Sequence, residues 1–107
     1  MATIFGRFYF KRTTNKNLVG EFSNNKSGNA ISTESADLIE GTNDNYFGKY
    51  NSTWQENGKP LFAILTISPK NSNPKLFLLD WSRNGKSIFL GEGMLCDDIL
   101  IGNYWDV

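Results

Sequence analysis

Four times in this chain a glycine stands two residues before an aromatic: Gly6-Arg7-Phe8, Gly20-Glu21-Phe22, Gly48-Lys49-Tyr50 and Gly102-Asn103-Tyr104. Each triplet lies inside a run where apolar and polar residues alternate. Alternation with a period of two marks a half-buried strand, in which residues i and i+2 share a face. A glycine on that face leaves a gap beside a ring. Such positions bend a sheet, and an aromatic side chain covers the bare backbone. The pattern therefore demands a sheet that curls.

The same alternation predicts eight strands, over Thr3–Arg12, Leu18–Asn24, Ile31–Ile39, Tyr46–Trp54, Leu61–Ser68, Lys75–Arg83, Ser87–Leu95 and Ile99–Trp105. The breaks between them are rich in Asn, Gly, Pro, Ser and Asp and have hairpin length, too short for a parallel crossover. Asn57-Gly58 and Asn84-Gly85 are dipeptides of the type I′ hairpin turn. Ile31–Ile39 stays open between a strand and a helical turn capped by Ser32 or Thr33, although Ser35 and Ala36 stand where a capping box needs Glu or Gln. No other segment has helical periodicity. The expected fold is all-β: one domain over residues 1–107, an antiparallel eight-stranded up-and-down meander closed into a β-barrel. Eight strands leave an interior that side chains fill or that holds one small ligand.

Composition removes several functions. The 107 residues carry 11 Lys and Arg against 11 Asp and Glu, so the net charge is zero. The basic field that drives most nucleic-acid binding is missing, and no nucleic-acid partner is expected. Histidine is absent, which rules out Ser-His-Asp and Cys-His chemistry and histidine-ligated zinc. The lone Cys96 permits neither an internal disulfide nor a thiolate zinc cage. No run reaches the length of a membrane helix, and Arg7 interrupts the apolar start, so neither a membrane partner nor a cleaved signal is expected. The expected location is the cytoplasm. No cofactor is expected.

If the aromatics of the triplets face inward, Arg7, Glu21, Lys49 and Asn103 face solvent, as does Glu92 between Gly91 and Gly93. That register is the one expected, because ionised groups are rarely buried unpaired. The interior then receives Ile4, Phe8, Phe10, Leu18, Phe22, Tyr46, Tyr50, Trp54, Leu76 or Phe77, Leu100 and Tyr104. Within this apolar wall Tyr50, Ser52, Trp54 and Tyr104 bring polar tips, the composition of a small-molecule site. The plainer reading of the same residues is a packed core whose Tyr and Trp satisfy themselves locally. Asp97-Asp98 reads as a turn former rather than a cation site. Glu21, Asp80 and Glu92 show no spacing that singles out an acid/base pair, so no enzyme is expected.

Leu61-Phe62-Ala63-Ile64-Leu65 and Leu76-Phe77-Leu78-Leu79 are apolar on both faces. With no helix to cover the outside, a second subunit is the expected cover, which predicts a homodimer or higher homo-oligomer.

Tyr46-Phe47-Gly48-Lys49-Tyr50-Asn51-Ser52 resembles the G-x-Y-x-S strand of the avidin family. Leu79-Asp80-Trp81 and Gly102-Asn103-Tyr104-Trp105 are similar to the apolar-x-W and G-x-aromatic strands of avidins and related calycin barrels. The resemblance implies an eight-stranded meander with a ligand at its open end, and Tyr50 and Ser52 as polar contacts to it. Ile4–Phe10 lacks the Asn and Ser that avidins offer to the biotin ring, and the third segment lacks the matching tryptophan, so the resemblance does not extend to biotin. The expected function is non-catalytic binding of a small, largely apolar ligand through Tyr50, Ser52, Trp54 and Tyr104. The alternative is a protein–protein interaction or assembly subunit acting through the outer wall of residues 61–68 and 75–83.

Overall fold

The structure is a computed structural model that describes every residue except Met1, Asn29 and Asn43. Eight strands follow one another: β1 (Phe5–Arg12), β2 (Leu18–Asn24), β3 (Ser32–Glu40), β4 (Gly48–Glu56), β5 (Lys59–Pro69), β6 (Leu76–Arg83), β7 (Lys86–Cys96) and β8 (Ile99–Asp106). Each pairs antiparallel with the next, and β8 returns to β1, which closes the barrel. The fold is thus the expected all-β meander barrel. No helix among the described residues is long and apolar enough to cross a membrane.

The open question over residues 31–39 resolves as a strand. β3 is paired on both sides, Leu18 opposite Ala36 and Ala36 opposite Ser52, so its backbone donors and acceptors are used by the ladder. β4 starts later than the alternation predicts. Tyr46 precedes it with φ 69°, a left-handed backbone that costs a bulky residue of order 1–2 kcal/mol. The return is a tyrosine ring turned under the barrel and 1% exposed.

Asn57-Gly58, Asn84-Gly85 and Asp97-Asp98 each place two successive residues at positive φ between paired strands. These are the backbone values of type I′ turns, whose twist matches that of the flanking strands. Asp97 and Asp98 are accordingly turn formers, and Asp98 also pairs with Arg12.

The glycines bring strands into close approach. A Cβ on Gly20 would lie 1.9 Å from the Tyr9 carbonyl oxygen, and one on Gly102 would lie 2.0 Å from that of Glu92. The rings that cover glycines come largely from neighbouring strands: Tyr104 lies over Gly6, Phe10 against Gly20, and Trp81 against Gly91. The curl is therefore a property of strand pairs rather than of each triplet alone.

Inside, Phe8, Phe10, Leu18, Ala36, Tyr50, Leu65, Ile67, Phe77, Leu79 and Leu100 form one continuous core. Outside, Arg7, Lys49 and Asn103 are exposed, Glu21 accepts a bond from the Tyr9 hydroxyl, and Glu92 pairs with Lys70. The β1–β8 seam carries its own latch. Asp106 accepts from the backbone N–H of Thr3 at 2.7 Å and of Ile4 at 2.8 Å. The bond from Ile4 and those from Thr3 hold its carboxyl below the usual range.

Candidate functional site

The two ends of the barrel are built differently, and the difference locates a site. At the end where β1 runs into β2, the loop before β4 folds inward. Tyr46 and Phe47 pack on Phe77, and the Tyr46 hydroxyl lies 2.7 Å from the Asp98 carbonyl and 3.0 Å from that of Phe10. The Tyr50 hydroxyl donates to the Tyr46 carbonyl at 2.8 Å. Arg12 lies over the Tyr46 ring, 4.9 Å from its centroid. This end is plugged.

At the other end β2, β4, β6 and β8 finish. Four rings make a closed circuit of edge-to-face contacts there. Phe22 meets Trp54 at 6.5 Å between centroids, Trp54 meets Phe89 at 6.5 Å, Phe89 meets Tyr104 at 5.6 Å, and Tyr104 returns to Phe22 at 6.1 Å. Edge-to-face pairs at such distances add to the burial of their rings. Asn24, at the end of β2, donates from its side-chain amide to the Tyr104 hydroxyl at 2.8 Å. Phe8 and Trp81 lie further in, 5.8 Å apart.

Below the circuit stands a carboxylate. Glu34 points inward from β3, two residues before Ala36 on the same face, and is 5% exposed. Ser52, opposite Ala36 on β4, donates its hydroxyl to Glu34 Oε2. Trp81, reaching across from β6, donates its indole N–H to the same oxygen at 2.7 Å. Both bonds end on Oε2. Every buried side-chain oxygen among the described residues has a partner, so Oε1, which receives neither bond, is reached from the cavity.

Burial raises the Glu34 carboxyl to about 7, against the pull of the Ser52 and Trp81 bonds. The carboxyl therefore exchanges its proton near neutrality. Burial also pushes the Tyr104 hydroxyl upward; the Asn24 bond opposes this, and the negative fields of Glu34 and Glu56 add to it.

The cavity under the circuit offers about 40 Å³ to the centre of a water molecule and is lined by these rings, Ile4, Asn24, Glu34 and Glu56. One water needs roughly 10–15 Å³ by that measure. The space thus suits a few waters or a compact head group. Four further hollows among the described residues follow the outer wall.

The four residues singled out from sequence take three positions. Trp54 and Tyr104 line the cavity. Ser52 lies behind it, buried and engaged with Glu34. Tyr50 is fully buried at the plugged end, its hydroxyl used by the Tyr46 carbonyl, so the structure does not bring it to the mouth. The alternation missed Glu34, Asn24, Glu56, Phe89 and, as a site residue, Trp81. A signal for Glu34 was present: it shares a period-2 face with Ala36 and Leu38. No group of three His, Cys, Asp or Glu among the described residues could hold a metal ion.

No family model, no curated protein and no solved structure matches this chain.

Proposed function

We propose that this barrel is a non-catalytic binding protein for a small ligand that enters at the mouth formed by Phe22, Trp54, Phe89 and Tyr104. One observation carries the reading: an aromatic-walled cavity ends on a carboxylate oxygen that the protein itself leaves without a partner. Apolar walls with a few convergent polar groups are the common make-up of small-molecule sites, and a residue with a shifted proton affinity inside a cleft points the same way. The likeness to avidins and calycins belongs with this proposal, as a meander barrel that takes a ligand at one end.

The alternative, assembly through the outer wall, has less to stand on. Phe62 and Leu78 are 60% and 40% exposed. In the register of β5 and β6, however, Ile64 stands opposite Ser82, Thr66 opposite Asp80, and Ser68 opposite Leu78. The apolar side chains are interleaved with polar ones rather than continuous.

The chain's three tryptophans test the binding reading. Trp54 and Trp81 line the cavity, while Trp105 does not. A library of small apolar and aromatic compounds, screened by two-dimensional NMR of the indole N–H signals, is expected to yield compounds that move Trp54 and Trp81 and leave Trp105 in place. A library that moves none of the three, or all three alike, overturns the reading.

A further inference from the structure

The mouth has a chemical polarity that narrows its ligand. Its lining holds two carboxylates, Glu34 and Glu56, and no lysine or arginine. Six aromatic rings surround the space, each with a negative face. Glu34 is 5% exposed and lines this space, and neither the Ser52 nor the Trp81 bond falls on its Oε1. An anion placed here would meet two carboxylates and the rings. A metal ion would find one oxygen of Glu34 and the rim carboxylate of Glu56 among apolar walls, short of the six or more oxygens that calcium requires or the octahedron of magnesium. A neutral guest would leave the carboxylate, in its ionised form, without a counter-charge.

From this we infer that the ligand is a small organic cation, a protonated amine whose N–H meets Glu34 Oε1 while its carbon substituents lie against Trp54, Phe22 and Tyr104. The inference rests on the binding reading above and specifies its ligand. An ammonium between aromatic rings gains from their quadrupoles, and the gain grows where water is excluded. Its bond to a carboxylate is charge-assisted, about twice as strong as a neutral one. Trp81 and Ser52 occupy Oε2 and hold the carboxylate in place, so little ordering remains when the cation arrives.

The charges around Glu34 are few. β4 brings Glu56 at the rim, and β8 brings Tyr104, whose raised proton affinity keeps it neutral. β1, β2, β6 and β7 face it with Phe8, Phe22, Asn24, Trp81 and Phe89. Arg7 acts on Tyr104 from the outer wall, where it donates to Ser23. Glu34 is thus the group whose ionisation sets the affinity, and a bound amine draws it toward the charged form.

Three probes of one size, butylammonium, butan-1-ol and butyrate, test this by titration against the Trp81 indole signal at pH 8, in the wild type and in Glu34→Gln. Butylammonium is expected to bind about tenfold or more tightly than butan-1-ol. Glu34→Gln keeps the shape and the two donors' acceptor, and is expected to abolish that preference by weakening butylammonium about tenfold. Lowering the pH to 6 is expected to weaken butylammonium alone, since an alkylamine stays protonated throughout. Equal binding of butylammonium and butan-1-ol to the wild type, or a preference that survives in Glu34→Gln, overturns the cation while the binding site stands. Tightest binding of butyrate does the same. Silence toward all three probes overturns both readings.

Discussion

Two ends of one barrel, made from the same strands, use aromatic residues in opposite ways. At the plugged end Tyr46 and Tyr50 are wholly buried and spend their hydroxyls on backbone carbonyls. At the mouth Trp54 and Tyr104 keep a small exposure, and the buried polar group is a carboxylate with one oxygen to spare. A phenol needs one acceptor and is content. A carboxylate has about four acceptor sites, and the two donors present satisfy half of them. The plug therefore closes the core, and the mouth leaves it unfinished.

The sharpest way to break this contrast is at the plug. Tyr46→Ala removes a fully buried ring with its bonds to the β1 and β7–β8 backbone, and is expected to cost roughly 4 kcal/mol in denaturant unfolding. The left-handed backbone at position 46 suits alanine no better than tyrosine, so little is recovered there. A loss below about 1 kcal/mol, on the scale of an exposed residue, would show that the loop before β4 does not act as a plug.

The mouth is expected to answer to pH instead. The Glu34 carboxyl goes from an ordinary 4.5 to about 7 on folding. Between those values the folded state holds a proton that the unfolded state has released, so stability is full below about 4.5 and is lost as the pH rises through about 7. The loss is on the order of 3 kcal/mol. Glu34→Gln is expected to remove this slope and to be the more stable protein at pH 8. Asp106, whose carboxyl is held low, acts in the other direction and only in more acid solution. Chemical unfolding across pH 4 to 8 reads both proteins, and parallel slopes for the two would mean that Glu34 is not buried as described.

A smaller effect is expected at the rim. Tyr104→Phe deletes the oxygen that accepts from Asn24 but keeps the ring in the circuit. The expected cost is about 1 kcal/mol, since the freed amide is only partly buried. An unchanged denaturation midpoint would place Asn24 in solvent rather than across the mouth.

Much of the barrel can be read along the chain. All eight strands fall where the alternation puts them, to within a few residues, and the Asn-Gly turns follow from their dipeptides. These are local properties: a period of two and a positive φ are visible in consecutive residues. The site is less legible. Trp54 and Tyr104 emerge from the inward face, but Tyr50, on that same face, belongs to the plug, because position along the strand decides which end a side chain serves. Glu34 was hidden by its composition. A glutamate in a segment of Ser, Thr and Ala reads as solvated, and only the donors from β4 and β6 make its burial tolerable.

The order of residues alone makes this protein a curled antiparallel meander, because alternation, glycine spacing and turn chemistry act over a few residues at a time. It also excluded histidine and multi-cysteine chemistry by lacking the residues. Which end is sealed follows from the closed barrel, as does the meeting of Ser52, Trp81 and Glu34, each at least a strand apart, on one oxygen. Closure of the ring sets those distances. A buried carboxylate takes its proton affinity from everything around it, and that surrounding exists only once the eighth strand has met the first.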